Sequence, residues 1–172
     1  EEQTRRSWLL AWNPNMWNWE DLSEAAELTQ NGDSYPTTWA CTSSGVAPGD
    51  RVYIITLGTN NNGIMASGYA TSTQYEYEHW DPDKRADGQM NKGIDISLDH
   101  VIDVSHQNPL TQVFLRNQFP NQHWSPQGSG ISIKDYYAEA LEKAWIAFLD
   151  ASKDGETEMT IKEKVDAIKT YI

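Results

Sequence analysis

Cysteine is nearly absent: Cys41 stands alone in 172 residues. That excludes an intrachain disulfide framework and predicts a reducing, cytoplasmic setting. No apolar run approaches the length of a helical membrane span, so no membrane association is expected. Positive charge is scarce as well, with 13 Lys and Arg against 25 Asp and Glu and a net charge of −12. Affinity for nucleic acid comes largely from cations that neutralise phosphates. A nucleic-acid binder with this balance must gather its cations on one face or draw affinity from another domain. The candidates for such a face are Arg5, Arg6, Lys84, Arg85, Lys92, Arg116 and Lys134. The acids gather instead in Glu20–Glu27 and Asp135–Asp166, where helices are expected.

Catalytic and metal signatures are thin. His100 with Asp103 and His106, or His79 with Asp81 and Asp83, could supply ligands, but neither set has a zinc spacing. No metal and no cofactor are expected. Cys41 reads as a small buried hydrophobe. Ser129, in Gln127-Gly128-Ser129-Gly130, lacks the spacing of a hydrolase nucleophile elbow. The flanking glycines suit a tight turn whose N–H groups could meet an anion. No paired carboxylates and no Ser/His/Asp arrangement stand out, so this chain is not expected to be an enzyme.

Tryptophan is what the chain has in excess: eight of them, with Trp8, Trp12, Trp17 and Trp19 crowded near the start. Flat aromatics on loops suit the sandwiching of a nucleobase or a methylammonium, whereas a Trp-rich core is the plainer reading. Trp145 falls on the apolar stripe of a helix, and Trp8 shares a strand face with Leu10 and Trp12, so these read as core. Trp17 and Trp19 lead into a helix and could staple it. Trp39 and Trp80 sit beside polar, turn-rich stretches and are the candidates for cage walls.

The pattern predicts strands at Ser7–Trp12, Arg51–Leu57, Gly63–Ser72 and Gly93–Val104. The Asn60–Gly63 turn makes the middle pair a hairpin. Helices are predicted at Glu20–Gln30, at Lys134–Asp150 with a Ser132/Asp135 capping box, and at Thr160–Ile172. Between the last two strands lies a long polar segment, Gln74–Lys92, of a length more often functional than idle. Gln118–Gly130 reads as irregular. The expected class is α+β, a small mixed β-barrel with flanking helices. Residues 1–152 are expected to form the main domain, and 153–172 a linker and helix leading towards a further domain.

The order of motifs resembles a known family. Trp17-Asn18-Trp19-Glu20-Asp21-Leu22 is similar to the aromatic-x-Trp-Asp-Asp-Leu segment of EVE domains, and Trp39 to the tryptophan that follows it. Gly49–Ile55 resembles the family's Gly-Asp-x-Val-aromatic strand, and Ile64–Ala70 its Ile-x-Gly-x-Ala strand. Asp95–Val104, followed by Pro109-Leu110, resembles the later Val-x-Val strand. Trp12-Asn13-Pro14 and Trp124–Ile131 look most like the EVE-type reader at the front of modification-dependent restriction endonucleases. The likeness covers roughly residues 7–150. Two stretches depart from it: Ala11–Pro14 replaces the usual Lys-Ser-Glu-Pro, and Ala40–Ser43 replaces Gly-Val-Arg-Asn.

EVE domains are PUA-like barrels related to the YTH readers of N6-methyladenosine. The resemblance therefore implies a pocket that takes one flipped, modified base between aromatic walls. Trp39 and Trp80 match the wall positions, with Trp12, Asn13 and Ser43 around the base. Lys84, Arg85, Lys92, Ser129 and Gly130 are expected on the nucleic-acid backbone. The expected ligand is DNA carrying 5-methylcytosine or 5-hydroxymethylcytosine ahead of N6-methyladenine, with a nuclease domain or partner subunit as effector. The alternatives are a YTH-like reader of methylated RNA, an ASCH-like RNA-processing enzyme working through His79, Lys84 or an Asp, and a protein-interaction domain whose tryptophans are all core.

Overall fold

A computed structural model describes residues 5–79 and 81–154. They fall into two compact units, one ending at Ser132 and one beginning at Ile133. The first holds β1 (Ser7–Trp12), α1 (Leu22–Gln30), β2 (Tyr35–Ala40), β3 (Arg51–Thr56), β4 (Gly63–Ala70), β5 (Tyr75–Glu78), α2 (Pro82–Ala86), β6 (Met90–Val101), β7 (Leu110–Thr111), α3 (Gln112–Gln118) and β8 (Ile131–Ser132). The second holds α4 (Asp135–Asp154), on which the Trp145 and Phe148 rings stack 5.8 Å apart.

One mixed sheet runs β2-β6-β4-β3-β1-β8, with β5 added to β6 and β7 to β4. β3 is its centre, buried at every position, which is why Val52–Ile55 is an unbroken apolar run rather than an alternation. β1 lies parallel to it, Ser7 opposite Arg51 and Trp12 opposite Thr56. A parallel neighbour needs a long crossover; α1 and β2 lie within it. β6 alternates, burying Ile94, Ile96 and Leu98. α1 turns Ala25, Ala26 and Thr29 inward, and the Thr29 hydroxyl accepts the Val101 N–H at 3.1 Å, tying the helix to the end of β6.

The sheet is α+β as expected but does not close as a barrel ladder; β2 and β8 end its strand order. The polar segment 74–92 is not a plain loop. It holds β5, α2 and the start of β6, because Tyr75 and Tyr77 supply a strand pattern that the intervening glutamates mask. β6 also starts and stops earlier than expected, running Met90–Val101, and His106 lies in the turn that follows. Ser132 belongs to β8 rather than capping α4. Thr160–Ile172 lies outside the described residues. Among those described, no helix is long and apolar enough to cross a membrane.

An ion pair with one partner buried and the other half-buried crosses the sheet. Arg51, from β3, donates to Asp99 Oδ2 at 2.8 Å and to the Gly68 carbonyl at 3.2 Å. Its guanidinium lies 5.4 Å from the Tyr53 ring centre and 4.7 Å from that of Tyr69. Ser67 Oγ donates to Asp99 Oδ1 at 2.6 Å, and His100 Nδ1 lies 3.2 Å from the same oxygen. Burial alone would raise the Asp99 pKa. The His100 and Ser67 contacts and the Arg51 charge outweigh it and hold the carboxyl far below its usual range.

Two stability effects are expected. A folded-state pKa below the unfolded one makes the Asp99 contribution complete above the ordinary carboxylate range, and it fades as pH falls below about 4. Asp99→Asn should thus lower the urea midpoint at neutral pH, with the gap to the parent narrowing in acid; a constant gap contradicts this. Arg51→Ala should cost towards the low end of the about 3–5 kcal/mol typical of breaking a buried pair, since Asp99 keeps some contact with water.

Candidate functional site

β1 has a free edge to satisfy. On one side it pairs with β3; on the other β8 reaches only Trp8 and Leu9. Beyond that, side chains take over from strands. Ser129 Oγ accepts the Ala11 N–H at 3.0 Å and donates to the Ala40 carbonyl of β2 at 2.6 Å. The Ala11 carbonyl accepts the Trp39 indole N–H at 3.0 Å. The Ser129 carbonyl in turn accepts the Thr42 N–H at 2.8 Å, and the Gly130 N–H donates to the Leu9 carbonyl at 3.0 Å. The Gln127–Gly130 turn thereby laces the β1 edge to β2. Gly130 is required there: its φ is +104°, and a Cβ would stand 2.6 Å from Cys41 Sγ.

The seam carries an aromatic block. Asn13 reverses the chain after β1, its Oδ1 accepting the Asn15 N–H at 2.9 Å and its carbonyl the Met16 N–H at 2.9 Å. The Asn15 carboxamide pins this turn to the Gly58 carbonyl at 2.6 Å. Trp17 returns onto Trp12, whose indole N–H donates to the Trp17 carbonyl at 3.2 Å. Trp12 meets Trp17 and Trp19 at ring separations of 5.8 and 5.6 Å. Trp39 meets the same two at 5.2 and 5.0 Å. All four contacts are tilted or edge-on, the arrangement that ring quadrupoles favour.

Trp39 is therefore a member of the N-terminal cluster, not remote from it. It is 3% exposed and Trp12 4%, whereas Trp17 is 42% exposed beside Met16. Of the described tryptophans, only Trp17 offers much ring to solvent. The local pattern of Trp17 predicted a helix staple; its exposed position on the block follows from the Asn13 turn.

The other expected site residues scatter. Trp80 lies outside the described residues. Asn13 is committed to its turn, and Ser43 Oγ accepts the Gly45 N–H at 3.2 Å. Lys84 and Arg85 are exposed on α2, and Lys92 is exposed on β6, where its carbonyl accepts the Cys41 N–H. The Ser129 hydroxyl and Gly130 N–H are engaged within the seam rather than turned to a ligand. Trp8 and Trp124 are core, the former donating to Asp50 and the latter to the Phe119 carbonyl. Among the described residues no group of His, Cys, Asp or Glu could hold a metal. His79 Nδ1 instead accepts the Asp81 N–H, and Asp81 caps α2. Burial pushes the Cys41 thiol up, away from the thiolate a nucleophile needs.

The chain matches no protein-family model and no curated protein. Solved structures do resemble it. A hypothetical protein from Leishmania major matches with a TM-score of 0.53 at 16% identity, over 81% of this chain and 94% of that one. A protein from Pseudomonas syringae matches with a TM-score of 0.53 at 16% identity, over 79% and 97% of the two chains. One from Pseudomonas putida gives 0.50 at 14%, with the same coverage. The likeness is one of fold.

Ser129→Ala removes the partner of Ala11 N–H on one side and of the Ala40 carbonyl on the other. It should cost about 1–3 kcal/mol and accelerate hydrogen exchange at the Ala11 amide above the change at β3 amides. Uniform protection at Ala11 in the variant would show that the lacing is not a stabilising element.

Proposed function

We propose that this chain is a reader of modified DNA, an EVE-type module that takes a flipped base against the aromatic block at the β1–β2 seam. The observation that carries the reading is the half-exposed Trp17 ring packed on Trp12 and Trp39, which Trp19 backs in turn. The exposed side of Trp17 is a flat apolar face, with Met16 exposed beside it, on which a base can stack. The motif order around these residues supports the same reading, with a PUA-like relationship behind the sheet. In this reading Trp17 swings aside from Trp39 or itself stacks on the base, and the EVE resemblance gives Trp80 as the second wall residue.

The energetics are feasible. Unstacking a base costs a few kcal/mol, and stacking on an aromatic side chain returns about 1–3 kcal/mol. One added methyl is worth only about 0.8 kcal/mol of burial, roughly a fourfold preference. Polar contacts must therefore sharpen the choice between 5-methylcytosine, 5-hydroxymethylcytosine and N6-methyladenine. The chain acts as the specificity module of a restriction system, and the nuclease belongs to further sequence or to a partner subunit.

Binding to duplexes that differ in one base tests this. The parent should prefer a modified cytosine over the plain one, and Trp17→Ala and Trp80→Ala should each erase that preference. Trp17→Ala should leave the melting temperature within a few degrees of the parent's. Trp39→Ala should in addition lose about 3–5 kcal/mol of stability as a core truncation. Full preference in both Trp17→Ala and Trp80→Ala removes the reading. Stronger competition by methylated RNA moves the assignment to RNA, and no binding to any oligonucleotide favours an all-core aromatic block in a protein-interaction domain.

A further inference from the structure

At the opposite end of β1 from Trp12, an open groove of about 490 Å³ lies between Arg5, Arg6 and the Gly45–Asp50 loop. Both arginines are exposed, and each guanidinium sits by an aromatic ring: Arg5 at 5.4 Å from the Tyr69 ring centre and Arg6 at 4.7 Å from that of Trp8. Acids outnumber bases in this chain 25 to 13, yet among the described residues neither guanidinium has a carboxylate partner or donates to a protein acceptor. The carboxylate that does line the groove, Asp50, is occupied elsewhere. It accepts the Arg6 N–H at 3.2 Å, the Trp8 indole N–H at 2.9 Å and the Ala47 N–H at 3.0 Å. Those bonds hold the loop and the start of β1 together, and Asp50 is 5% exposed.

We infer that Arg5 and Arg6 form a phosphate clamp that grips the nucleic-acid backbone away from the aromatic block. A guanidinium beside a ring has restricted freedom while its N–H groups remain available, so little side-chain entropy is left to lose on binding. Two forks facing one groove suit a phosphate, which accepts from several directions, better than a planar carboxylate that a single fork satisfies. The loop leaves room for the anion: a Cβ on Gly49 would meet nothing within 4 Å. The loop also continues back through Ser43 and Cys41 to the seam at Ser129. The clamp supplies cations that a net charge of −12 otherwise withholds.

The clamp rests on the nucleic-acid reading for the source of its phosphate, and the experiment separates the two. Binding of plain and modified duplexes to the full chain is measured across a salt series for the parent and for Arg5→Gln/Arg6→Gln, which keeps the Arg6 N–H that Asp50 accepts. Removing two phosphate contacts should reduce the slope of log K against log salt by about 1.8 for both duplexes, leaving the modified-to-plain ratio unchanged. Inorganic pyrophosphate should shift the Arg5 and Arg6 Nε–H resonances in the parent, which tests the groove even if no duplex binds. An unchanged slope with duplex binding intact overturns the clamp. So do unmoved resonances in pyrophosphate, or resonances that move only with an acidic peptide.

Discussion

The structure depends on how Ala11 satisfies its backbone at the unpaired end of β1. A parallel strand at the edge of its ladder leaves N–H and C=O groups exposed, a liability that proteins cover or blunt. Here the cover is made by side chains. Ser129 takes the N–H, and Trp39 gives its indole proton to the carbonyl. Because Ser129 also donates to Ala40, the same hydroxyl fixes the distance between β1 and β2. That distance decides where Trp39 lies against Trp19 and Trp17. Seam and aromatic block are one construction.

This coupling gives the proposed site its character. Trp12, Trp19 and Trp39 are rigid because they are buried and because two of their indole N–H groups are bonded to backbone carbonyls. Trp17 is the ring at the boundary, packed on one side and wet on the other. A rigid backing with one exposed ring is a preorganised stacking surface, for which little entropy is lost on binding. The charge is distributed to match the proposal: the paired arginines stand at the far end of β1, so in that reading attraction for phosphate and selection of the base fall to different residues.

Much of the frame was legible in the sequence because local periodicity determines it. β1 falls where its apolar run and the Asn13-Pro14 turn place it; β3, β4, α1 and α4 follow within a few residues. β2 and β5 were hidden: Tyr35–Ala40 opens on Tyr-Pro and buries only Trp39 well, and Tyr75–Glu78 alternates tyrosine with glutamate at a mostly exposed edge. Of the candidate site, the sequence marks individual residues but not how they come together. Trp39, Trp12 and Ser129 were all singled out, but their roles depend on contacts between Ala11 and residues 28 and 118 positions away. Only topology brings such residues together. The local pattern of Trp17 fits a helix staple for the same reason, since its exposure is decided by the Asn13 turn and by Trp39.

The most direct test of the central claim is whether the base leaves the helix. A duplex carrying 2-aminopurine beside a single 5-methylcytosine or 5-hydroxymethylcytosine reports unstacking as a rise in fluorescence. The account predicts a saturable rise on adding the chain to the modified duplex, and little change with the plain one. Saturable binding of the modified duplex with no rise would contradict it, since recognition would then occur with the base still stacked.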